Sequence, residues 1–248
     1  MIDLHCHYLP GIDDGSQSMA ESLDLARASV EDGISHAVMT PHIHPGRYEN
    51  NRTTVALAVE RYREQLKLAG IPLQVYPGGE VRLSSDIIDL YEQGELPLLG
   101  TYNGFHVLLL EFPYGQIPVG SEKLVGWLLD RKIRPLIAHP ERNKVVMRNA
   151  DTLRPYVERG CLLQLTAASI TGGFGQAVQD CARLLLDRRW ASVVATDAHN
   201  LLHRRPVLSG ARIFVSERYG SEYAEALTRA MPAKLLGIRE ALIKSSLR

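Results

Sequence analysis

Ile133-Arg134-Pro135-Leu136-Ile137-Ala138-His139-Pro140-Glu141-Arg142 decides how the chain is read. An apolar, partly β-branched run fit for a buried strand ends directly in imidazole and charged groups. The pattern recurs in Ile2-Asp3-Leu4-His5-Cys6-His7, in Ala37-Val38-Met39 followed by Thr40-Pro41-His42-Ile43-His44, and in Ser192-Val193-Val194-Ala195 followed by Thr196-Asp197-Ala198-His199-Asn200. Three more apolar runs, at 73–76, 106–110 and 162–165, bring the predicted strands to seven, with 2–4, 37–39, 133–137 and 192–195.

Helical segments separate them. Ser18 with Glu21 forms a capping box, and Gly33 ends that helix. Asn51 or Thr53 caps a helix running to Gly70, and Asp151 one running to Gly160. Residues 176–189, 206–219 and 233–245 complete the set. Strand–helix repetition implies a parallel sheet. Seven units suit a closed or nearly closed parallel (β/α)7 barrel of α/β class, with an open doubly wound sheet as the alternative. No composition shift divides residues 1–248, which read as one domain.

The composition is that of an ordinary globular chain, 45% hydrophobic and 23% charged. Twenty-eight basic residues balance 28 acidic ones, which argues against a dedicated nucleic-acid binder. Three scattered cysteines, Cys6, Cys161 and Cys181, suggest no disulfide framework, and a reducing cytoplasm is expected. Neither a signal peptide nor a membrane span is expected.

Parallel barrels gather their chemistry at the carboxyl ends of their strands. His5 and His7 follow the first strand, His42 the second, Glu80 the third, Glu111 the fourth, His139 the fifth, and Asp197 with His199 the seventh. Asp14 lies in the loop Asp13-Asp14-Gly15 after the first. His5 and His7 alternate at strand spacing, so both are expected on one side. Singly, each is weak: a lone His-x-His is usually just polar, and Asp-Asp-Gly is more often a turn. Together, imidazole and carboxylate donors at six strand ends imply a site for zinc, manganese or iron. Nine donors exceed the needs of one ion, so two or three are expected, with Glu80 able to bridge. His36, His106 and His203 read as structural or surface residues. Gly172-Gly173-Phe174-Gly175 reads as a loop near the barrel mouth, shaping access.

These motifs, in this order over residues 1 to about 205, resemble the polymerase-and-histidinol-phosphatase (PHP) superfamily, which implies a distorted seven-stranded parallel barrel, TIM-barrel-like. Within it the chain most resembles the manganese-dependent bacterial protein-tyrosine phosphatases of capsule and exopolysaccharide operons. Asn143 stands where that subgroup commonly has an aromatic residue. The resemblance implies Mn²⁺ as the metal, with Fe or Zn as alternatives. It implies that His5, His7, Glu80 and Asp197 hold one ion, Glu80, Glu111 and His139 a second, and Asp14, His42 and His199 a third. Arg142 and Arg204 would bind phosphate, Asp197 would serve both metal and catalysis, and His44 would be the general acid. The implied substrate is the phosphotyrosine tail of a bacterial tyrosine autokinase, hydrolysed by a hydroxide held between metals. A cysteine nucleophile is excluded, because no cysteine here opens an arginine-bearing phosphate loop. A small-molecule PHP phosphatase, a nuclease-like phosphoesterase and a non-catalytic metal-binding module are the competing readings.

Overall fold

The computed structural model describes residues 1–238. Its strands are β1 (Ile2–Cys6), β2 (His36–Met39), β3 (His42–Ile43), β4 (Gln74–Pro77), β5 (Glu80–Arg82), β6 (Gly100–Tyr102), β7 (Phe105–Glu111), β8 (Ile133–Ala138), β9 (Leu162–Thr166) and β10 (Ala191–Ala195). One sheet runs β1-β2-β4; the other runs β10-β9-β8-β7-β5-β3, with β6 antiparallel on β7. All other pairings are parallel.

Two of the seven predicted strands are longer than expected and broken in the middle. Thr40-Pro41 interrupts β2 and β3, and Gly78-Gly79 interrupts β4 and β5. The glycines are required there. A Cβ on Gly78 would lie 2.7 Å from Leu99 and Val38, and one on Gly79 would lie 2.5 Å from Pro97. Counting each broken pair as one stave, and setting aside β6, leaves seven staves. Beside the last, the first closes the ring: Asp197 N–H donates to His5 O (2.8 Å) and His7 N–H to Ala198 O (2.9 Å). Lower on that seam, Asp3 Oδ1 accepts Thr196 N–H at 2.9 Å.

Ile2, Leu4, Val38, Val107, Leu109, Leu136, Val193 and Ala195 pack together inside the ring, closed beneath by Ala233 and Leu235 of the helix Met231–Leu236. Burial stabilises each Leu, Ile or Val by about 1.5–3 kcal/mol, so the interior is packed core. Polar chemistry is left to the carboxyl rim.

Some boundaries differ from expectation. Asn51 caps the second long helix, Arg52–Leu68, in a capping box with Thr54. Asn149 rather than Asp151 supplies the next cap, accepting Asp151 N–H at 3.0 Å, and Asp151 pairs with Arg154 and Arg188 instead. The helix expected at 206–219 starts at Ser209, because Asp32 from across the chain accepts the N–H groups of Leu208 (2.7 Å) and Ser209 (2.9 Å). Gly237, at φ 67°, follows the helix Met231–Leu236. Residues 239–245 of the helix expected there lie outside the described residues. The β6–β7 hairpin adds to the expected elements; its turn is Asn103-Gly104, with φ of 49° and 76°, a strong hairpin signal.

Candidate metal centre

A bulge at the end of β1 shapes the site. Asp3 pairs with Ala37 and Cys6 with Met39, so Leu4 and His5 together face Val38. The extra residue breaks the alternation. Leu4 enters the barrel core while His5 still turns into the rim, and Cys6 joins the outer core beneath the helices. Two other rim residues have left-handed backbones, His139 (φ 32°) and Asp197 (φ 53°). Such conformations are strained for residues with side chains and tend to collect at working sites.

His5 and His7 are fully buried, and their Nε2 atoms face one another at 3.1 Å. The other nitrogen of each is engaged: His5 Nδ1 lies 2.9 Å from Gln164 Oε1, and His7 Nδ1 lies 2.7 Å from Asp13 Oδ2. An amide oxygen and a carboxylate can only accept, so both Nδ1 atoms carry hydrogen. When the rings are neutral, the two Nε2 atoms are bare lone pairs in contact. Near them stand Glu80 Oε2 (3.3 and 3.5 Å) and Asp197 Oδ1 (3.3 and 3.4 Å). Both oxygens and His199 Nε2 are buried without a hydrogen-bond donor. Buried orphans are rare and call for an unseen partner. A cation satisfies all of them, and a carboxylate–imidazole donor set suits a transition metal.

The donors sort into three overlapping groups. His5, His7, Glu80 and Asp197 form one, His7, Asp14, His42 and His199 another, and His42, Glu80 and Glu111 a third. The grouping differs from expectation at three residues: His7 joins Asp14, His42 and His199, His42 also joins Glu80 and Glu111, and His139 falls outside all three groups. Glu80 divides its oxygens, Oε2 facing His42 Nδ1 (3.0 Å) and Oε1 facing His139 Nε2 (2.6 Å). His139 therefore meets the donor groups through Glu80 Oε1, with its ring 5.5 Å from that of His5.

Charge follows the geometry. Burial disfavours ionised Glu80, but His5, His139 and His42 hold its carboxyl well below the usual range. Asp197 is likewise kept ionised against burial by Arg142, His5 and Arg204. Burial pulls His42 down, yet Glu80 and Asp14 carry it to about 10. His139 and His199 fall to about 4, first through burial, then through Arg142 and His7 respectively. Glu111 is raised by burial and by Glu80, with Arg82 donating to it at 2.9 Å.

Arg142 and Arg204 converge on one oxygen, Asp197 Oδ2, with Arg142 Nη2 at 2.5 Å. Both line a cleft of about 340 Å³ that also takes in Asp14, His42, Glu80 and Glu111. Phe174, from the glycine cluster, lies under the Arg142 guanidinium at 5.0 Å. His44 lines the cleft outside the donor groups. Burial and the nearby Arg82 and Arg47 lower its pKa. His36 bonds Ser35 and stacks on Tyr76, a structural role, and His106 and His203 are exposed. The thiols are free and buried; burial raises Cys6 well above its ordinary value and Cys161 and Cys181 to about 12.

Two residues that orient the imidazoles lie outside the expected site. Gln164 is a lone amide within an apolar strand, a visible signal. Asp13 adjoins the expected ligand Asp14, and nothing local separates the two carboxylates.

A seven-stave barrel with imidazoles, carboxylates and arginines crowded at its carboxyl rim is a TIM-barrel-like fold carrying a candidate metal centre. Comparison with known proteins narrows this. The family described as capsular polysaccharide synthesis, CpsB/CapC, matches residues 1–237, and the chain belongs to it. It is 36% identical to the tyrosine-protein phosphatase YwqE of Bacillus subtilis, over 92% of this chain and 89% of that one. It is 30% identical to the tyrosine-protein phosphatase CpsB of Streptococcus pneumoniae, over 95% and 98%. A crystal structure from work on YwqE and CpsB, described as unique metal-dependent tyrosine phosphatases, superposes with a TM-score of 0.89 at 34% identity, covering 96% of this chain and 95% of that one. A phosphotriesterase homology protein from Escherichia coli shares the fold alone (TM-score 0.55, 11% identity).

Proposed function

We propose that this chain is a metal-dependent phosphatase that removes phosphate from tyrosine on proteins. Residues 1–248 are read as one domain. The observation that carries the reading is two arginines converging on Asp197 beside three overlapping groups of imidazole and carboxylate donors. His5, His7, Glu80 and Asp197 would hold one ion, and His7, Asp14, His42 and His199 another. A third would lie between His42, Glu80 and Glu111, with His139 brought in through Glu80. Imidazole-rich sites disfavour Mg²⁺, and Mn²⁺ is the metal favoured here. Divalent ions, when bound, supply an activated water and neutralise phosphate charge.

The remaining work falls to side chains. Arg142 and Arg204 give fork-shaped donors for the phosphate oxygens. Asp197 holds both guanidinium groups beside the donor groups, and Phe174 braces Arg142 from beneath. A phenolate leaving group, with a parent pKa of about 10, needs little help from a general acid. The physiological substrate in this reading is the tyrosine-rich tail of a bacterial tyrosine autokinase in capsule or exopolysaccharide synthesis. Three reduced, buried thiols fit a cytoplasmic setting, and among the described residues no helix is long and apolar enough to cross a membrane.

The test compares Arg142→Ala with His139→Ala. Arg142→Ala keeps its metals and loses about 10²-fold or more in turnover, the scale for removing one charge-stabilising donor. His139→Ala loses activity and metal together. Elemental analysis beside assays on phosphotyrosine, phosphoserine and histidinol phosphate reads both. Wild-type turnover of phosphotyrosine by Arg142→Ala refutes the phosphate clamp, and preference for histidinol phosphate moves the assignment to a small-molecule phosphatase.

A further inference from the structure

The cleft holds four arginines, and three of them have carboxylate partners. Arg82 pairs with Glu111, and Arg142 and Arg204 with Asp197. Arg47 has no carboxylate partner among the described residues; its guanidinium lies 5.0 Å from the centre of the Tyr48 ring, which itself stacks on His42. A second exposed cation repeats the arrangement. Lys144 Nζ lies 5.1 Å from the centre of the Tyr114 ring and also lacks an acidic partner among the described residues. The loops carrying these pairs leave the barrel after β3, β7 and β8, so β5 separates the Arg47 loop from the Tyr114 loop.

The second pair is held in place. Asn143 Nδ2 donates to Pro113 O (2.8 Å) and Gln116 O (3.0 Å), while Lys144 N–H donates to Tyr114 O (3.0 Å). The residue that replaces a common aromatic therefore pins the loop displaying Tyr114. Acidic competition nearby is already engaged. Glu49 accepts Gly46 N–H, Asp14 faces His42 and His199, Asp86 accepts from Ser84, and residues 112–120 contain no acid. Since the chain as a whole is neutral, Arg47 in the cleft and Lys144 beside its lining residues Asn143 and Tyr114 are not a by-product of excess base.

We propose that Arg47 and Lys144 select protein substrates bearing acidic residues on either side of the phosphotyrosine. The proposal rests on the phosphatase reading above and adds the sequence preference of the substrate. Tyr48 and Tyr114 hold the two cations over aromatic faces, where they stay charged and oriented, and a peptide crossing the cleft brings its flanking carboxylates to them.

The test uses metal-loaded enzyme and two phosphotyrosine peptides, one with Asp and Glu at the flanking positions and one with Asn and Gln. Wild type is expected to favour the acidic peptide by roughly three- to tenfold in kcat/KM at low ionic strength, the scale of one or two exposed ion pairs. Added salt shrinks the preference. Arg47→Ala with Lys144→Ala abolishes it and leaves p-nitrophenyl phosphate turnover unchanged. Equal kcat/KM for the two peptides in wild type, or a preference that survives in the double variant, overturns the proposal. Failure of the metal-loaded enzyme to hydrolyse any aryl phosphate overturns the phosphatase reading itself.

Discussion

His5 shows how one residue depends on a partner far along the chain. Gln164 Oε1 takes its Nδ1 hydrogen, which leaves Nε2 bare and aimed at His7. Such outer partners fix the tautomer and direction of an imidazole, and losing one typically weakens metal binding about 10–100-fold. Gln164 Nε2 is itself buried without an acceptor, so an apolar replacement removes one unsatisfied donor. Gln164→Leu is therefore expected to fold, and to bind its metals about 10–100-fold more weakly. Titration of the chelated protein with Mn²⁺ measures this, and wild-type affinity in the variant would remove Gln164 from the account. A sequence reader can find Gln164, because a polar amide amid Leu162, Leu163 and Leu165 needs a reason. That its partner is His5 comes only with the closed ring.

Among the elements, the helix Ser209–Tyr219 owes its start to the turn after another helix. Asp32 follows the helix Met19–Glu31 and accepts the Leu208 and Ser209 N–H groups and the Ser209 hydroxyl. A side-chain cap is worth about 1 kcal/mol. Asp32→Ala should lower the thermal midpoint by about 2–4 °C in a chain of this size, with phosphatase activity intact at saturating metal. An unchanged midpoint would mean that water caps the helix as well as Asp32 does. The case also marks what sequence discloses about elements. All seven staves are legible, because a buried strand leading to a reactive rim must be written as an apolar run that stops at a polar cluster. The start of this helix is not, since its cap lies across the chain. The bulge in β1 is equally hidden: only pairing with β2 shows Leu4 and His5 sharing one partner, and alternation alone would send one of them the wrong way.

At the scale of the whole molecule, the donors come from β1 and β10 as well as the staves between, so a bound ion ties the two ends of the ring. Ligands that bind only the folded form stabilise it in proportion to their affinity, and here that affinity depends on pH. Without metal, burial pulls His7 down, but Asp13, Asp197 and Glu80 raise it well above its ordinary value, and His42 stands at about 10. In the chelated protein these carboxylates favour the protonated form of both rings. Their raised pKa values add stability that is complete below about 6.5, the ordinary histidine value, and fades as pH climbs through the folded-state values. His139 and His199, lowered to about 4, act in the opposite sense and withdraw stability as pH falls from 6.5 to 4. Coordination needs neutral imidazoles, so metal entry expels the protons on His7 and His42, and affinity rises with pH. The gap between the unfolding midpoints of metal-loaded and chelated protein should therefore widen from pH 6 to pH 8.5. Scanning calorimetry at fixed free Mn²⁺ measures that gap. A gap that stays constant would mean that no proton leaves when metal enters, and would remove His7 and His42 from the ligand set.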